Sequence, residues 1–97
     1  MTPATLPDDA SVFKTTAVFD EHTVPPALLR HHRTKEGVWG RVVVVDGEVT
    51  FRQLEPTVSE TVLTAGLVQI VAPGLPHEVQ LSPGARFYVE FQRVEPS

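Results

Sequence analysis

The run HHRTKEGVWGRVVVVDG, residues 31–47, decides the fold. Two adjacent histidines, His31 and His32, lead into a Gly-Val-Trp-Gly corner at 37–40, and a strongly β-forming run follows at 41–45. Four consecutive valines predict a strand covered on both faces, because a half-exposed strand alternates apolar with polar residues. Residues 38–45 are that strand. Asp46-Gly47 then reads as a two-residue hairpin turn, whose central residues need positive φ. Residues 48–54 run away from it in alternation, with Val49 and Phe51 on one face and Glu48, Thr50 and Arg52 on the other. The expectation is a hairpin with a metal or ligand site at its mouth.

The same grammar extends outward in both directions. Upstream, residues 11–20 form a strand anchored by Phe13, Val18 and Phe19, with threonines suited to a pleated surface. Pro25-Pro26 stops regular structure and removes two backbone donors. Residues 27–33 are ambiguous between a strand and a turn of helix. Residues 1–10, with Pro3 and Pro7 and no periodicity, read as an extended arm, which leaves 11–97 as the domain. Downstream, short strands are expected at 61–63, 67–72, 77–81 and 85–94, parted by turns at Ala65-Gly66, Pro73-Gly74 and Ser82-Pro83-Gly84. In the last strand Phe87, Val89 and Phe91 face one way, and Arg86, Tyr88, Glu90 and Gln92 the other. About seven to nine short strands, with turn signals every eight to twelve residues and no clear helix, read as an all-β sandwich or barrel.

Ninety-seven residues make one domain. A chain of this size buries only roughly 60–70% of the surface its unfolded form exposes, so a dimer interface or a metal is a natural supplement. A net charge of −4 argues against nucleic acid as a partner, since phosphate binding needs a basic footprint. There is no cysteine, which excludes disulfides and thiolate metal sites. No apolar run approaches the ~20 residues of a membrane span, and no secretory signal pattern opens the chain, so the expected compartment is the cytoplasm and no membrane partner is expected. Arg30, Arg33, Lys35 and Arg41 surround the histidine pair, either as solvated surface charges or as a local anion-attracting patch.

The chemistry concentrates in the histidines. His77 opens a strand directly after the rigid turn Pro73-Gly74-Leu75-Pro76 and shares a face with Val79 and Leu81, so it points inward. A buried neutral imidazole needs a partner for at least one nitrogen. A metal ion would serve; so would a group on a neighbouring strand, with His77 as a core residue. If 31–32 is extended, only one of His31 and His32 points inward. Two histidines from different hairpins and one carboxylate make a facial metal site with open positions. Glu90, Glu36 and Glu78 are the candidate carboxylates, and parity turns Glu78 away from His77. Glu90 shares a polar face with Tyr88 and Gln92, either solvent or the lining of a polar cavity. Trp39, close to Gly37 and Gly40, either walls a pocket or plugs the core. No nucleophilic triad and no phosphate-binding glycine loop is legible.

The runs His32-Arg33-Thr34-Lys35-Glu36-Gly37-Val38-Trp39-Gly40-Arg41, Val45-Asp46-Gly47-Glu48, Pro76-His77-Glu78-Val79 and Val89-Glu90-Phe91 resemble the TehB/YeaR-like domain, from about Phe13 to Arg93. That family is associated with tellurite resistance. The resemblance implies a small cupin-like β-barrel, or double-stranded β-sandwich, in which His32 and His77 are metal ligands completed by Glu90 or Glu36. Zinc, iron, nickel and manganese are the metals it would take. Trp39, Arg41, Tyr88 and Glu36 are the expected ligand-pocket residues. The cupin spacing Pro-x-Gly-x-x-His is one residue off here, and His31 is adjacent to His32 rather than alternate. Some TehB proteins fuse this domain to a methyltransferase; 97 residues have no room for one, so that activity is not carried over. The expected function is a homodimeric stress-response module that binds a divalent metal or a small oxyanion. The alternatives are a metal-dependent oxygenase or isomerase, and a structural barrel without a site.

Overall fold

Alternating apolar residues give each strand one face to bury, and two sheets bury those faces against each other. The computed structural model describes residues 6–7, 9–29, 34, 36–55 and 57–94. Seven strands lie among them: β1 Ala10–Thr15, β2 Trp39–Asp46, β3 Glu48–Gln53, β4 Ser59–Thr64, β5 Val68–Val71, β6 His77–Leu81 and β7 Arg86–Val94. One sheet has the order β1-β7-β2-β5 and the other β4-β3-β6, and the strand pairs are antiparallel. Between them lies one core, with Val42, Val44, Phe87 and Val89 from the four-stranded sheet and Val49, Phe51, Leu63 and Val79 from the three-stranded one. The domain is all-β. Among the described residues its strands form two sheets with separate edges and do not close into a barrel.

The Asp46-Gly47 expectation needs correction. β2 and β3 are not a hairpin: β2 lies between β7 and β5, and β3 between β4 and β6. The dipeptide is the corner at which the chain leaves one sheet for the other. Gly47 does have positive φ, +69°, and a Cβ there would stand 2.8 Å from the Cα of buried Ala85. The sequence signature reports the backbone angle, which a hairpin and a sheet-to-sheet corner share.

The strand expected at 11–20 is also shorter than its pattern suggested. β1 ends at Thr15, and Phe19 meets Phe87 through an isolated bridge with their rings edge to face at 5.8 Å. Phe19 packs against the core, while Phe13 and Val18 are exposed. In the ambiguous segment, Pro26–Leu29 is a short 3₁₀ turn, opened by a Leu28 N–H donating to the Pro25 carbonyl at 2.9 Å. Of the four valines, Val42 and Val44 are buried, Val43 is half-buried and Val45 is exposed. Among the described residues, β2 is fully buried on one face only. No helix among the described residues is long and apolar enough to cross a membrane.

Candidate functional site

His77 begins β6, where the chain emerges from the Pro73-Gly74-Leu75-Pro76 turn. Gly74 takes φ +74° in that turn, Pro76 is fully buried, and the Pro76 carbonyl accepts from Leu54 N–H at 2.9 Å. The turn is thereby anchored to the end of β3, and His77 lies opposite Gln53. Its ring is 5% exposed and stacks on Phe51, with centroids 5.4 Å apart and planes 27° from parallel. His77 Nδ1 is 3.1 Å from the Leu75 carbonyl oxygen. A carbonyl can only accept, so Nδ1 carries the proton and donates.

His77 lines a narrow cavity between the sheets. Its volume is about 20 Å³, room for about one water-sized species. Leu28, Thr34, Gly40, Val71 and Phe91 are among the other lining residues. Gly40 keeps this space open on the β2 side, since a Cβ there would come within 3.2 Å of the Val71 Cβ. Thr34 is buried and donates through Oγ1 to the Val38 carbonyl at 2.8 Å, which closes the Glu36-Gly37 turn. The lining is apolar apart from His77 and Thr34. Thr34 was not singled out by residue type or periodicity. Its signal is its place inside the His-x-Thr-Lys run.

The structure brings together a different set of the expected residues. Trp39, Arg41, Tyr88 and Glu90 alternate with the buried Gly40, Val42 and Val89, so they lie on the outer face of the four-stranded sheet. Trp39 pairs with Gln92, Arg41 with Glu90 and Val43 with Tyr88. An Arg41 guanidinium nitrogen donates to Glu90 Oε1 at 2.5 Å. Glu90 is therefore not placed with His77, which faces the cavity on the other side of that sheet. Trp39, Arg41 and Tyr88 form a sheet face rather than a pocket around it. Glu36 is exposed in its turn. His31 and His32 lie outside the described residues, as do Arg30, Arg33 and Lys35. Among the described residues no three His, Asp or Glu side chains are grouped to hold a metal.

The other ionised groups serve the surface. Arg52 bridges two strands, donating to Glu78 at 2.9 Å and to Glu60 at 2.8 Å. The hydrogen bond to Glu78, then that to Glu60, raises the Arg52 pKa above its ordinary value. Asp20 caps the turn before the proline pair, accepting from His22 N–H at 2.7 Å and Thr23 N–H at 2.9 Å. The backbone bond from His22 is the main cause that lowers the Asp20 pKa.

The family described as the TehB-like domain matches residues 14–89. The chain belongs to that family. Two solved structures share the fold over most of its length. A protein from E. coli strain K12 is 18% identical with a TM-score of 0.88, covering 96% of this chain and 99% of its own. TehB from Haemophilus influenzae is 22% identical with a TM-score of 0.81, covering 90% of this chain. This TehB-like domain spans only 32% of that TehB chain, so what the whole protein does belongs to that protein. Fe(II)-HppE with the alternative substrate (S)-1-HPP is 17% identical with a TM-score of 0.52, over 69% of this chain and 35% of its own. At such identities the likeness is one of fold. No curated protein matches the sequence.

Proposed function

We propose that this TehB-like domain is a small cytoplasmic binding module of the cupin type, associated with resistance to tellurite or a related oxyanion, and that it holds a divalent metal at His77. The carrying observation is the hydrogen bond from His77 Nδ1 to Leu75. Metal-binding histidines use one ring N–H in this way, which fixes the tautomer and leaves the other nitrogen to ligate. Burial and stacking on Phe51 hold the ring in one orientation. A cavity of water-molecule size suits an ion better than an organic substrate.

One histidine is too few for a protein-held divalent ion, which takes three or four protein ligands. Further ligands must come from outside the described residues. His32 is the foremost of these, because it stands between Leu28 and Thr34 in the sequence and both of those residues line the His77 cavity. The ion would supply positive charge within the cavity. His77 would supply an oriented imidazole ligand, and Thr34 closes the wall.

The test is metal content per chain after separate loading with zinc, iron(II), nickel and manganese. The expected result is near-stoichiometric binding of at least one ion, lost in both His32→Ala and His77→Phe. The phenyl ring of the second variant keeps the stack on Phe51 and removes both nitrogens. A wild-type chain that retains none of the four ions overturns the proposal, and so does full retention by His77→Phe.

A further inference from the structure

We infer that the outer face of the β1-β7-β2-β5 sheet is the interface between two copies of this chain. The face is built in rows across the strands. One row places Tyr88 beside Val43 and Val43 beside Val68; the next places Glu90 beside Arg41 and Arg41 beside Ile70. Trp39 lies on the same face next to Gln92. All but Gln92 are only half-buried in one chain, and Gln92 is buried. A central strand carrying four consecutive valines is the sequence of a strand covered twice, and among the described residues the outward Val43 is only half-buried and Val45 exposed.

Charge selects a second copy as the cover. The chain carries a net charge of −4, so most of its surface repels itself. In the middle of this face stands one charge of each sign, paired at 2.5 Å and only 36% (Arg41) and 20% (Glu90) exposed, and a second, more exposed pair, Arg86 with Asp46, stands at its end. A patch holding one cation and one anion is its own complement: across a two-fold axis each Arg41 faces the partner's Glu90. A strongly acidic or basic partner would find no net charge to meet.

The dimensions and the sheet edges agree with this. Four strands at ~4.8 Å spacing and about 27 Å along β2 give roughly 500 Å² in projection, before side-chain relief. A standard interface takes ~800 Å² of accessible surface per copy. Edge-to-edge addition is discouraged at β1, where a register shift falls between Val12 and Lys14 and the Arg93 guanidinium sits 4.6 Å above the Phe13 ring. The inferred contact is therefore through the face rather than the β1 edge.

The experiment is sedimentation equilibrium of the wild-type chain and four variants, with circular dichroism to confirm folding. The wild type is expected to sediment as a dimer. Ile70→Glu halves the mass while the strand signal is kept; Val62→Glu, on the exposed side of the other sheet, leaves the dimer intact. Arg41→Glu and Glu90→Arg each give monomer alone, and mixing the two variant chains restores a dimer, which an ion pair serving only its own chain would not do. Trp39, the single tryptophan, provides a second readout: its emission shifts to the red as wild type is diluted through dissociation. A wild-type monomer at every concentration with constant Trp39 emission overturns the inference. So does a folded Ile70→Glu chain that remains dimeric, which would put the contact elsewhere.

Discussion

The two sheets turn opposite kinds of surface outward. On the β4-β3-β6 sheet the outward row is Glu60, Arg52 and Glu78, with Val62, Thr50 and Gln80 in the next row. Each outward position there can meet water, and the carboxylates hold Arg52 from both sides. On the four-stranded sheet the corresponding rows hold Val43, Val68, Ile70 and Tyr88 around one ion pair. Antiparallel sheets with one face in water alternate apolar and polar residues. β3 obeys that rule and β2 breaks it. Both strands contribute one face to the same core, so the core does not explain the difference. The second copy inferred to cover β2 would.

The corner shared by both sheets is where the largest effect is expected. Gly47→Val adds a β-branched side chain at φ +69° and drives its Cβ against Ala85, on the link from β2 to β3. Left-handed strain and overpacking together should cost about 2–5 kcal/mol, read as a lower urea midpoint. Loss of that order is a large fraction of the ~5–15 kcal/mol that holds a domain together. A paired exchange sharpens the comparison at smaller cost. Val43→Ser should weaken self-association on the order of tenfold, about 1.4 kcal/mol, in a dilution series. Thr50→Val, at the matching outward position of β3, should leave it unchanged. The smallest effect belongs to Arg52→Gln. It leaves Glu60 and Glu78 without their shared cation, so the melting temperature falls slightly at low ionic strength. Salt should close most of that gap, because the pair with Glu60 is largely exposed.

Much of the fold was legible because strand geometry is local. A period of two assigns faces without knowledge of partners, and β6 at His77–Leu81 and β3 at Glu48–Gln53 fall where alternation placed them. Phe13 and Val18 show the limit of that rule. They are apolar and in a strand-like run, yet exposed, because β1 stops at Thr15 and the chain then leaves the sheet. The candidate site was half legible. His77 points inward as its parity with Val79 required, and the turn before it gives Nδ1 its partner. Glu90 was equally plausible by residue type and lies on the wrong side of the sheet. Thr34 had no periodic signal, since it sits in a loop.

The all-β character, the positions of β2, β3, β5, β6 and β7, the inward faces of β3, β6 and β7, and the family were readable from the sequence by itself. These depend on residues a few positions apart. Tertiary structure alone decided that Asp46-Gly47 joins two sheets, that Gly40 and Thr34 share a cavity with His77, and that Glu90 meets Arg41, 49 residues away. Strand order depends on which nonlocal pairs bury the most apolar surface while satisfying every backbone group. Alternation along one strand carries no record of that choice.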